Sequence, residues 1–452
     1  MRPPVEVGQR LPLEVEDLGT SGDGVARHRD YVLFVEGGVP GDRVGAEVVS
    51  AGNSFGRARI REFLRSSEIR ERAPCRLYGI CGGCQLQHID YRAEEDFKRQ
   101  WVAGALRRIA GREDLSVDTS LSDQQPYGYR HRLRFTPRVG GDESLEPCFY
   151  RRDGQGLVAV GRCEVATEAI NGLLGTLVEG LREPGVGAGP GWDRIALHAA
   201  GDQLLLVFGT GTGAWAEGPR LARWLMSEVP GLAGVVRNVA LPEDLRARRP
   251  GALNLPLAGR DHLYTTEGDF RIRASAGVFS QVNPGAAALA YDRVLAGAGV
   301  GPGDTVIELF SGIGALSLRL AAAGAFVIGV DLDGAAVADA RSNAAANDVD
   351  SVVHLNADAA EGLARVLASG TEPTVIVMDP PRSGCSRALL DAVAASGAER
   401  LVYVSCHYGT WARDLRYLAR SGWAPRAVTP VDMFPRTTSV ELVSVIAPGG
   451  GI

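Results

Sequence analysis

The sequence predicts an α/β protein that begins with a small β-barrel and has an α+β region before its C-terminal domain. Two patterns support this prediction. From residue 273 onward, apolar strand-like runs alternate with helical stretches and end in a strand pair, which is typical of a doubly wound α/β domain. Residues 5–62 instead contain short strand-like runs separated by turns. We therefore expect domains at residues 1–62, 63–272 and 273–452.

The composition is that of a protein folded in water. Of its 452 residues, 45% are hydrophobic and 23% are charged. No apolar run reaches the roughly 18 residues that suggest a membrane span, so we expect no membrane contact and a cytoplasmic location. The net charge of −6 disfavours nucleic acid as a partner, but residues 57–138 hold 17 basic and 11 acidic side chains. Such a local basic excess can attract phosphate.

The N-terminal barrel is predicted from three strand-like runs, at residues 11–18, 31–35 and 43–49. Turn-forming residues separate these runs, at 19–24 and 37–42. Small barrels of the OB type often bind oligonucleotides. A generic barrel module fits the pattern equally well, so both interpretations stay open.

Three cysteines follow the barrel with C-x5-C-x2-C spacing, at Cys75, Cys81 and Cys84. In a reducing compartment, such a cluster favours metal binding over disulfides. Thiolates are the ligands of iron–sulfur clusters and of structural zinc, and the spacing leaves both open. A fourth ligand is required. Cys163 is the better candidate because it follows a strand-like run at a loop, and Cys148 is the alternative.

Two stretches of the central region have recognisable faces. Residues 90–110 are predicted to form a helix whose apolar stripe recurs every four residues and belongs to the core. That stripe consists of Phe97, Trp101, Ala105 and Ile109. Residues 127–135 alternate basic and apolar side chains, so a strand there would place three arginines on one face. Those arginines are Arg130, Arg132 and Arg134, and they either contact RNA phosphate or form a solvated face.

The C-terminal domain carries the pattern of a nucleoside cofactor site. A strand-like run at 305–309 is followed by a turn with two glycines at 311–314, and Asp331 ends the next strand, where its carboxylate can bind a ribose. The third glycine of a dinucleotide fingerprint is missing, so S-adenosylmethionine fits better than a nicotinamide nucleotide. Asp379, before two prolines, either places a carboxylate beside this site or belongs to a rigid turn.

Cys406 is the candidate nucleophile. It follows the strand-like run 401–405, at the edge where open α/β sheets place their chemistry. A buried structural cysteine is the alternative, since free cysteine is among the most buried residue types. The nearby acidic turn at Asp379 and the downstream Glu441 favour a catalytic role.

Taken together, these features resemble the RNA uracil-5-methyltransferase family, in the form that carries an N-terminal TRAM domain and an iron–sulfur cluster. The resemblance covers essentially the whole chain. It rests on Cys75, Cys81, Cys84 and Cys163, and on the stretches 279–283, 308–312, 379–382, 404–406 and 434–441. It implies a TRAM barrel at 1–62, a central iron–sulfur and RNA-binding domain at 63–272, and a Rossmann-like class I methyltransferase domain at 273–452.

The resemblance also assigns roles to residues. It implies that Cys406 is the nucleophile, that Glu441 is the base, and that the four cysteines hold a [4Fe-4S] cluster. It implies that S-adenosylmethionine is contacted by Gln281, Phe310, Asp331, Asp358 and Asp379. Two positions depart from the family pattern. Ala315 stands where relatives often have a cofactor-contacting Asn, and Ser439 stands where many have His.

The implied reaction is methylation of carbon 5 of a uridine in RNA through a Cys adduct at carbon 6. Relatives with both a TRAM domain and a cluster mostly act on large-subunit ribosomal RNA, so 23S rRNA is the expected substrate and a monomer the expected state. A tRNA uracil-5-methyltransferase is the alternative. Cys385, six residues after Asp379, also fits an RNA cytosine-5-methyltransferase, but members of that class lack the iron–sulfur cysteines. A non-enzymatic RNA-binding protein with a vestigial methyltransferase domain is disfavoured, because Cys406, Asp379 and Glu441 are all present. A radical enzyme sharing the TRAM module would need cysteines at another spacing.

Overall fold

The computed structural model describes residues 3–240 and 253–449. The chain divides into two compact units. The first comprises residues 1–101, 150–158 and 434–439, and the second comprises residues 102–149, 159–433 and 440–452. In the described ranges, no helix is long and apolar enough to cross a membrane.

The first unit contains a closed five-stranded barrel, as the sequence predicts. Its strands pair in the order β1-β2-β3-β5-β4. They are β1 Arg10–Leu18, β2 Gly24–His28, β3 Tyr31–Glu36, β4 Arg43–Ala51 and β5 Phe55–Arg65. Alternate residues of β1 point inward and are buried, because side chains on a strand alternate between its two faces. Strands β2 and β5 were not among the predicted runs, because glycine and arginine residues interrupt the alternation of apolar and polar side chains in them.

Helix α1, Tyr91–Arg108, follows the barrel where a helix is predicted. The predicted apolar stripe is wrong at its end, because Ile109 lies beyond the helix and is 38% exposed. A spacing of four residues drifts around a helix with 3.6 residues per turn. The buried face instead includes a salt bridge, in which Lys98 Nζ lies 2.7 Å from Glu94 Oε1 and both side chains are almost fully buried.

A seven-stranded sheet, most of which belongs to the second unit, has the order β12-β11-β10-β9-β6-β7-β8. Its strands are β6 Arg132–Val139, β7 Leu145–Tyr150, β8 Leu157–Ala159, β9 Trp192–Ala200, β10 Gln203–Thr210, β11 Leu232–Val239 and β12 Leu253–Gly259. Helices α2 Glu168–Leu181 and α3 Gly218–Glu228 belong to the same region. Arg132 and Arg134 belong to β6, whereas Arg130 precedes it and forms an isolated bridge with Ala166.

A hairpin leads into the second sheet of this unit, which has the order β17-β16-β15-β18-β19-β21-β20. The hairpin strands are β13 His262–Glu267 and β14 Phe270–Ser275. The sheet strands are β15 Thr305–Leu309, β16 Phe326–Asp331, β17 Val352–Asn356, β18 Val375–Met378, β19 Arg400–Ser405, β20 Trp423–Val431 and β21 Glu441–Pro448. Strands β15 to β19 are parallel and β21 runs antiparallel to β19. The α/β prediction with a terminal strand pair is confirmed.

Six helices connect these strands. They are α4 Pro284–Ala298, α5 Ala315–Ala322, α6 Gly334–Ala346, α7 Ala359–Ala368, α8 Arg387–Ala394 and α9 Tyr408–Leu418. Helix α4 begins where Asn283 accepts a hydrogen bond from the Ala286 amide, and ends at Gly299 in the left-handed conformation. The chain order reverses between β16 and β18 on either side of β15, which creates the crevice where such sheets bind ligands.

Candidate active site at the carboxyl edge of the second sheet

Strand register brings four of the predicted site residues to one edge of the sheet. Leu309 pairs with Met378, and Met378 pairs with Tyr403, so β15, β18 and β19 end close to the same level. The residues that follow the first two strands are Phe310 and Asp379. Ser405 pairs with Leu442 in the antiparallel neighbour, which sets Cys406 and Glu441 next to each other at the end of that pair.

A cavity opens at this edge. It is lined by Gln281, Phe310, Asp379 and Glu441, together with the turn at 311–313 and residues of α4 and α5. Ala315, the position that departs from the family pattern, also lines it. Asp331, Asp358 and Cys406 are not among its described lining residues. The structure thus brings four of the seven candidate catalytic and cofactor residues into one cavity wall.

Asp331 shapes the glycine turn at the cavity wall. Its Oδ2 accepts a hydrogen bond of 2.8 Å from the Gly312 amide, and its Oδ1 accepts one of 2.8 Å from the Asp333 amide. Phe310 and Gly312 both have positive φ, at 64° and 54°. Nothing lies within 4 Å of the position that a Cβ on Gly312 would occupy. The backbone of this turn is therefore open to close approach by a ligand.

Two polar groups at the turn were missed by sequence reasoning. The Ser311 hydroxyl lines the cavity, is buried, and has no hydrogen-bond partner within the described residues. The carboxyl of Glu308 is also buried and accepts a hydrogen bond from the Ser317 hydroxyl. Burial raises the pKa of Glu308 to about 8, with a smaller contribution from the Asp379 charge. In the sequence, Glu308 could have been recognised as a candidate site residue because it is an acidic residue inside an otherwise apolar strand.

Asp358 lies apart from the cavity wall, at the start of α7. Its carboxylate is exposed and accepts a hydrogen bond of 2.9 Å from the Ala360 amide. This is the geometry of a helix N-cap. A cofactor contact by Asp358 stays a prediction.

Cys406, Asp379 and Glu441 form an electrostatically linked group. Burial raises the pKa of Asp379 to about 6. Burial also raises the pKa of Glu441 well above its ordinary value, and the neighbouring Asp379 charge adds to the effect. The pKa of the half-buried Cys406 thiol rises to about 11, because of burial and then the charges of Glu441 and Asp379. The Cys406 thiol therefore holds its proton at neutral pH, and burial favours the protonated form of the Glu441 carboxyl.

Arg382 opposes this effect. Its positive charge lowers the pKa of both Cys406 and Glu441. Helix α9 holds the backbone around it, since Thr410 Oγ1 donates to the Arg382 carbonyl at 3.1 Å and Arg413 donates to the Ser383 carbonyl at 3.0 Å. Buried Asp414 completes this clamp by accepting a hydrogen bond of 2.9 Å from the Cys385 amide.

The same clamp determines the environment of the Cys385 thiol. Its thiol is buried 3.7 Å from the Tyr403 hydroxyl, and that hydroxyl donates to Asp414 at 2.8 Å. Burial raises the pKa of Cys385 to about 12. A thiol in this setting is a weak nucleophile, so the geometry favours a structural role for Cys385.

Comparison with known proteins adds to this geometry. Residues 4–60 match the TRAM domain model, and residues 259–446 match the model described as tRNA (Uracil-5-)-methyltransferase. An uncharacterized RNA methyltransferase of Halalkalibacterium halodurans is 32% identical over 98% of both chains. The chain belongs to the RNA (uracil-5-)-methyltransferase family. A second uncharacterized RNA methyltransferase, from Bacillus cereus, is 32% identical over 99% of this chain and 98% of its own.

The methyltransferase also has a solved structural neighbour. This is the Pyrococcus abyssi tRNA (uracil-54, C5)-methyltransferase in complex with S-adenosyl-L-homocysteine, with a TM-score of 0.73 and 22% identity. The similarity covers 97% of this chain and 100% of that one. It confirms the predicted α/β methyltransferase fold.

The predicted cluster ligands are divided between the two units of the methyltransferase. Cys75, Cys81 and Cys84 lie in the first unit, and Cys163 lies in the second. In the part of the chain that the structure describes, no three His, Cys, Asp or Glu side chains are arranged to hold a metal ion. Cysteine thiolates are suitable ligands for an iron–sulfur cluster. The described side chains are nevertheless not arranged as a metal site.

The alternative fourth ligand has a different environment. Cys148 is fully buried in β7 and pairs with Thr136 of β6, so it belongs to the core of the sheet. The backbone of Cys163 is held by Asn171 of α2, which accepts from its amide at 2.9 Å. Of these two cysteines, only Cys163 lies outside regular secondary structure.

Proposed function

We propose that this enzyme methylates carbon 5 of a uridine in RNA through a covalent bond between Cys406 and carbon 6 of the uracil. The observation that carries this proposal is the convergence of Cys406, Asp379 and Glu441 beside a cavity with an open glycine turn. A thiolate, a carboxylate base and a methyl-donor pocket are the parts that methylation at an unactivated ring carbon requires.

The order of bond changes follows from uracil chemistry. Carbon 5 of uracil is a weak nucleophile, so the Cys406 thiolate first adds to carbon 6 and converts the ring to an enolate. Carbon 5 then accepts the methyl group that S-adenosylmethionine supplies. Glu441 removes the remaining proton from carbon 5, and the electron pair of that C–H bond restores the double bond as the C–S bond breaks.

The charges at the site support this order. A positively charged methyl donor bound in the cavity would lower the pKa of Asp379 and Glu441, because opposite charges favour the ionised carboxylates. An ionised carboxylate can then pass the proton of the Cys406 thiol to solvent, so that Glu441 is ionised for the later step. Methyl transfer would remove the positive charge of bound S-adenosylmethionine, so the carboxylates would become more basic after that step. Glu441 is thus a stronger base at the step that needs one.

Several residues would hold the cofactor. Gln281, Phe310 and Asp379 line the cavity, and Asp331 fixes the Gly312 amide at its wall. The buried Ser311 hydroxyl can form a hydrogen bond with a polar ligand there. Asp358 is included in this set because of the family resemblance alone. We propose that these residues bind S-adenosylmethionine, with its ribose on Asp331.

We further propose that the substrate is 23S rRNA. The combination of a TRAM domain with the cysteine pattern supports this choice. The tRNA alternative is favoured by the description of the family model that matches residues 259–446. Mapping 5-methyluridine in rRNA and tRNA from cells with and without the gene separates the two. Loss of a 23S site supports the proposal, loss of a tRNA site supports the alternative, and loss of neither contradicts both.

A [4Fe-4S] cluster on Cys75, Cys81, Cys84 and Cys163 is the remaining proposal. It rests on thiolate donor chemistry and on the spacing of the cysteines. No step of the reaction depends on it. Its role would be to stabilise the fold, since metal binding by a loop is coupled to folding.

A further inference from the structure

A second cavity, of about 260 Å³, opens against the first sheet of the second unit. It is lined by residues of β6, β9 and β10 and of the segment 277–282. Its polar lining consists of Arg130, Arg132, Arg134, Arg194 and His198, and Phe279 adds an aromatic wall. The cavity is far larger than a single water or small ion requires. Four guanidinium groups around one cavity predict an anionic ligand.

Two of these arginines are fixed by the protein. Arg132 donates to the Val278 carbonyl at 2.9 Å and to the Ser280 hydroxyl at 2.9 Å. Arg194 is buried and donates to Asp193 and Asn238. These hydrogen bonds restrict the movement of both side chains. The two arginines supply guanidinium groups at fixed positions in the cavity lining.

His198 does not add to that charge. Burial lowers its pKa well below the ordinary value, and the charges of Arg132 and Arg194 lower it further. Its neutral Nε2 lies 3.2 Å from Arg132 Nη2, as an acceptor would. The neutral imidazole therefore orients Arg132 and adds no positive charge of its own.

The other two arginines can reach a ligand. The Arg130 side chain donates through Nε to the Arg132 carbonyl at 3.0 Å, and the described structure gives its two terminal nitrogens no carboxylate. Arg134 is 55% exposed, and its nearest carboxylate, on Asp193, is 3.9 Å away. That carboxylate already accepts from Arg194. Arg130 and Arg134 thus keep donors for an incoming anion.

The position of the cavity indicates which anion it takes. Arg132, His198 and Phe279 line both this cavity and the reaction cavity. The two are therefore neighbours with a shared wall. Phe279 is 64% exposed despite its apolar ring, which suits stacking against a nucleobase. A nucleotide adjacent to the target would lie here when the target enters the reaction cavity.

We propose that the second cavity binds the RNA backbone beside the target uridine, with phosphates on Arg130 and Arg134 and a flanking base on Phe279. This inference rests on the proposed function. It predicts that the enzyme requires a locally single-stranded segment, because a paired base can neither enter the reaction cavity nor stack on a side chain.

The test is a salt titration of binding to a short single-stranded oligouridylate. The variant combines Arg130→Gln with Arg134→Gln. If each arginine neutralises one phosphate, the slope of log K against log salt should fall in magnitude by about 1.4, since each contact with a single strand contributes about 0.7. The matched control combines Arg138→Gln with Arg220→Gln, which remove the same charge from exposed arginines paired with Glu146 and with Glu183 and Glu217.

The control should keep the wild-type slope. A slope that falls equally in both variants, or in neither, would overturn the proposal. Thermal unfolding of both variants checks that they are folded. Displacement of the oligouridylate by oligoglutamate at the same concentration would assign the cavity to acidic protein partners instead. A reduced slope together with no 5-methyluridine in any RNA would leave the subsite standing and reject the proposed function.

Discussion

The carboxyl of Glu441 illustrates how position determines a role. The same residue on an exposed terminal strand would be a solvated acid, but here it is 4% exposed and electrostatically linked to Cys406. Its burial raises its pKa, which makes it a better proton acceptor once ionised. The sequence placed an acid on a terminal strand. It could not show that antiparallel register brings this acid to the thiol.

Glu441→Gln should trap the reaction midway. Thiolate addition and methyl transfer precede proton removal, so the variant should accumulate a covalent protein–RNA adduct with ordinary uridine. Release of the carbon 5 hydrogen to solvent should slow by roughly 10² to 10⁴. Denaturing electrophoresis detects the adduct, and tritium release from carbon 5 measures the rate. A fully active variant, or a folded RNA-binding variant that forms no adduct, would contradict the role of Glu441.

Helix α9 is the element that links the nucleophile to the acidic turn. It begins two residues after Cys406, and its side chains hold the backbone at 382, 383 and 385. This clamp sets Arg382 where its charge lowers the pKa of Cys406. A sequence pattern shows neither the clamp nor Arg382 as part of the site, because the contacts join residues about 30 positions apart.

Asp414→Asn should loosen this clamp. The buried carboxylate accepts from Cys385 and Tyr403, so weakening it should cost about 1–2 kcal/mol of unfolding free energy. Displacement of Arg382 should also raise the Cys406 pKa, so thiol alkylation should require a higher pH than in wild type. Mass spectrometry of iodoacetamide labelling against pH measures this.

Two controls accompany Asp414→Asn. Arg382→Gln should shift the alkylation profile in the same direction. Tyr417→Phe, which removes an exposed hydrogen bond from the same helix to Asp391, should leave it unchanged. An unchanged profile in Asp414→Asn would show that the clamp has only a structural role.

Single strands with mostly apolar residues were predictable from the sequence. The predicted strand at 305–309 matches β15 residue for residue, because parallel strands buried on both faces form nearly continuous apolar runs. Helices α4 and α7 were not identified, since α4 is mostly small residues and α7 follows a short loop. Barrel strand β5 was missed because arginines occupy its outer face.

The candidate site was predictable only in part. Residues that end strands, such as Phe310, Asp331 and Asp379, could be placed from the alternating pattern. Contacts that depend on long-range packing, such as those of Ser311 and Glu308, could not. The fixed positions of Arg132 and Arg194 in the second cavity also depend on such packing, because Val278 and Asn238, which accept their hydrogen bonds, are distant in the sequence.

At the scale of the whole molecule, the [4Fe-4S] cluster on Cys75, Cys81, Cys84 and Cys163 stays a proposal. The cytoplasmic location, the monomeric state and the three domain boundaries also stay predictions. Four thiolates predict that anaerobically purified enzyme is brown and holds about four irons per chain. Cys163→Ser should lose the iron, and Cys148→Ser should keep it. Metal analysis with one zinc and no iron, or bleaching in the Cys148 variant, would contradict the ligand assignment.

The covalent adduct on Cys406 is the centre of the proposed mechanism, and 5-fluorouridine tests it most directly. A fluorine at carbon 5 cannot leave as a proton, so substrate RNA with 5-fluorouridine at the target should stay bound to the enzyme after methyl transfer. Peptide mapping should place the adduct on Cys406, and Cys406→Ala should form none. An adduct on Cys385, or one formed equally well by Cys406→Ala, would contradict the mechanism.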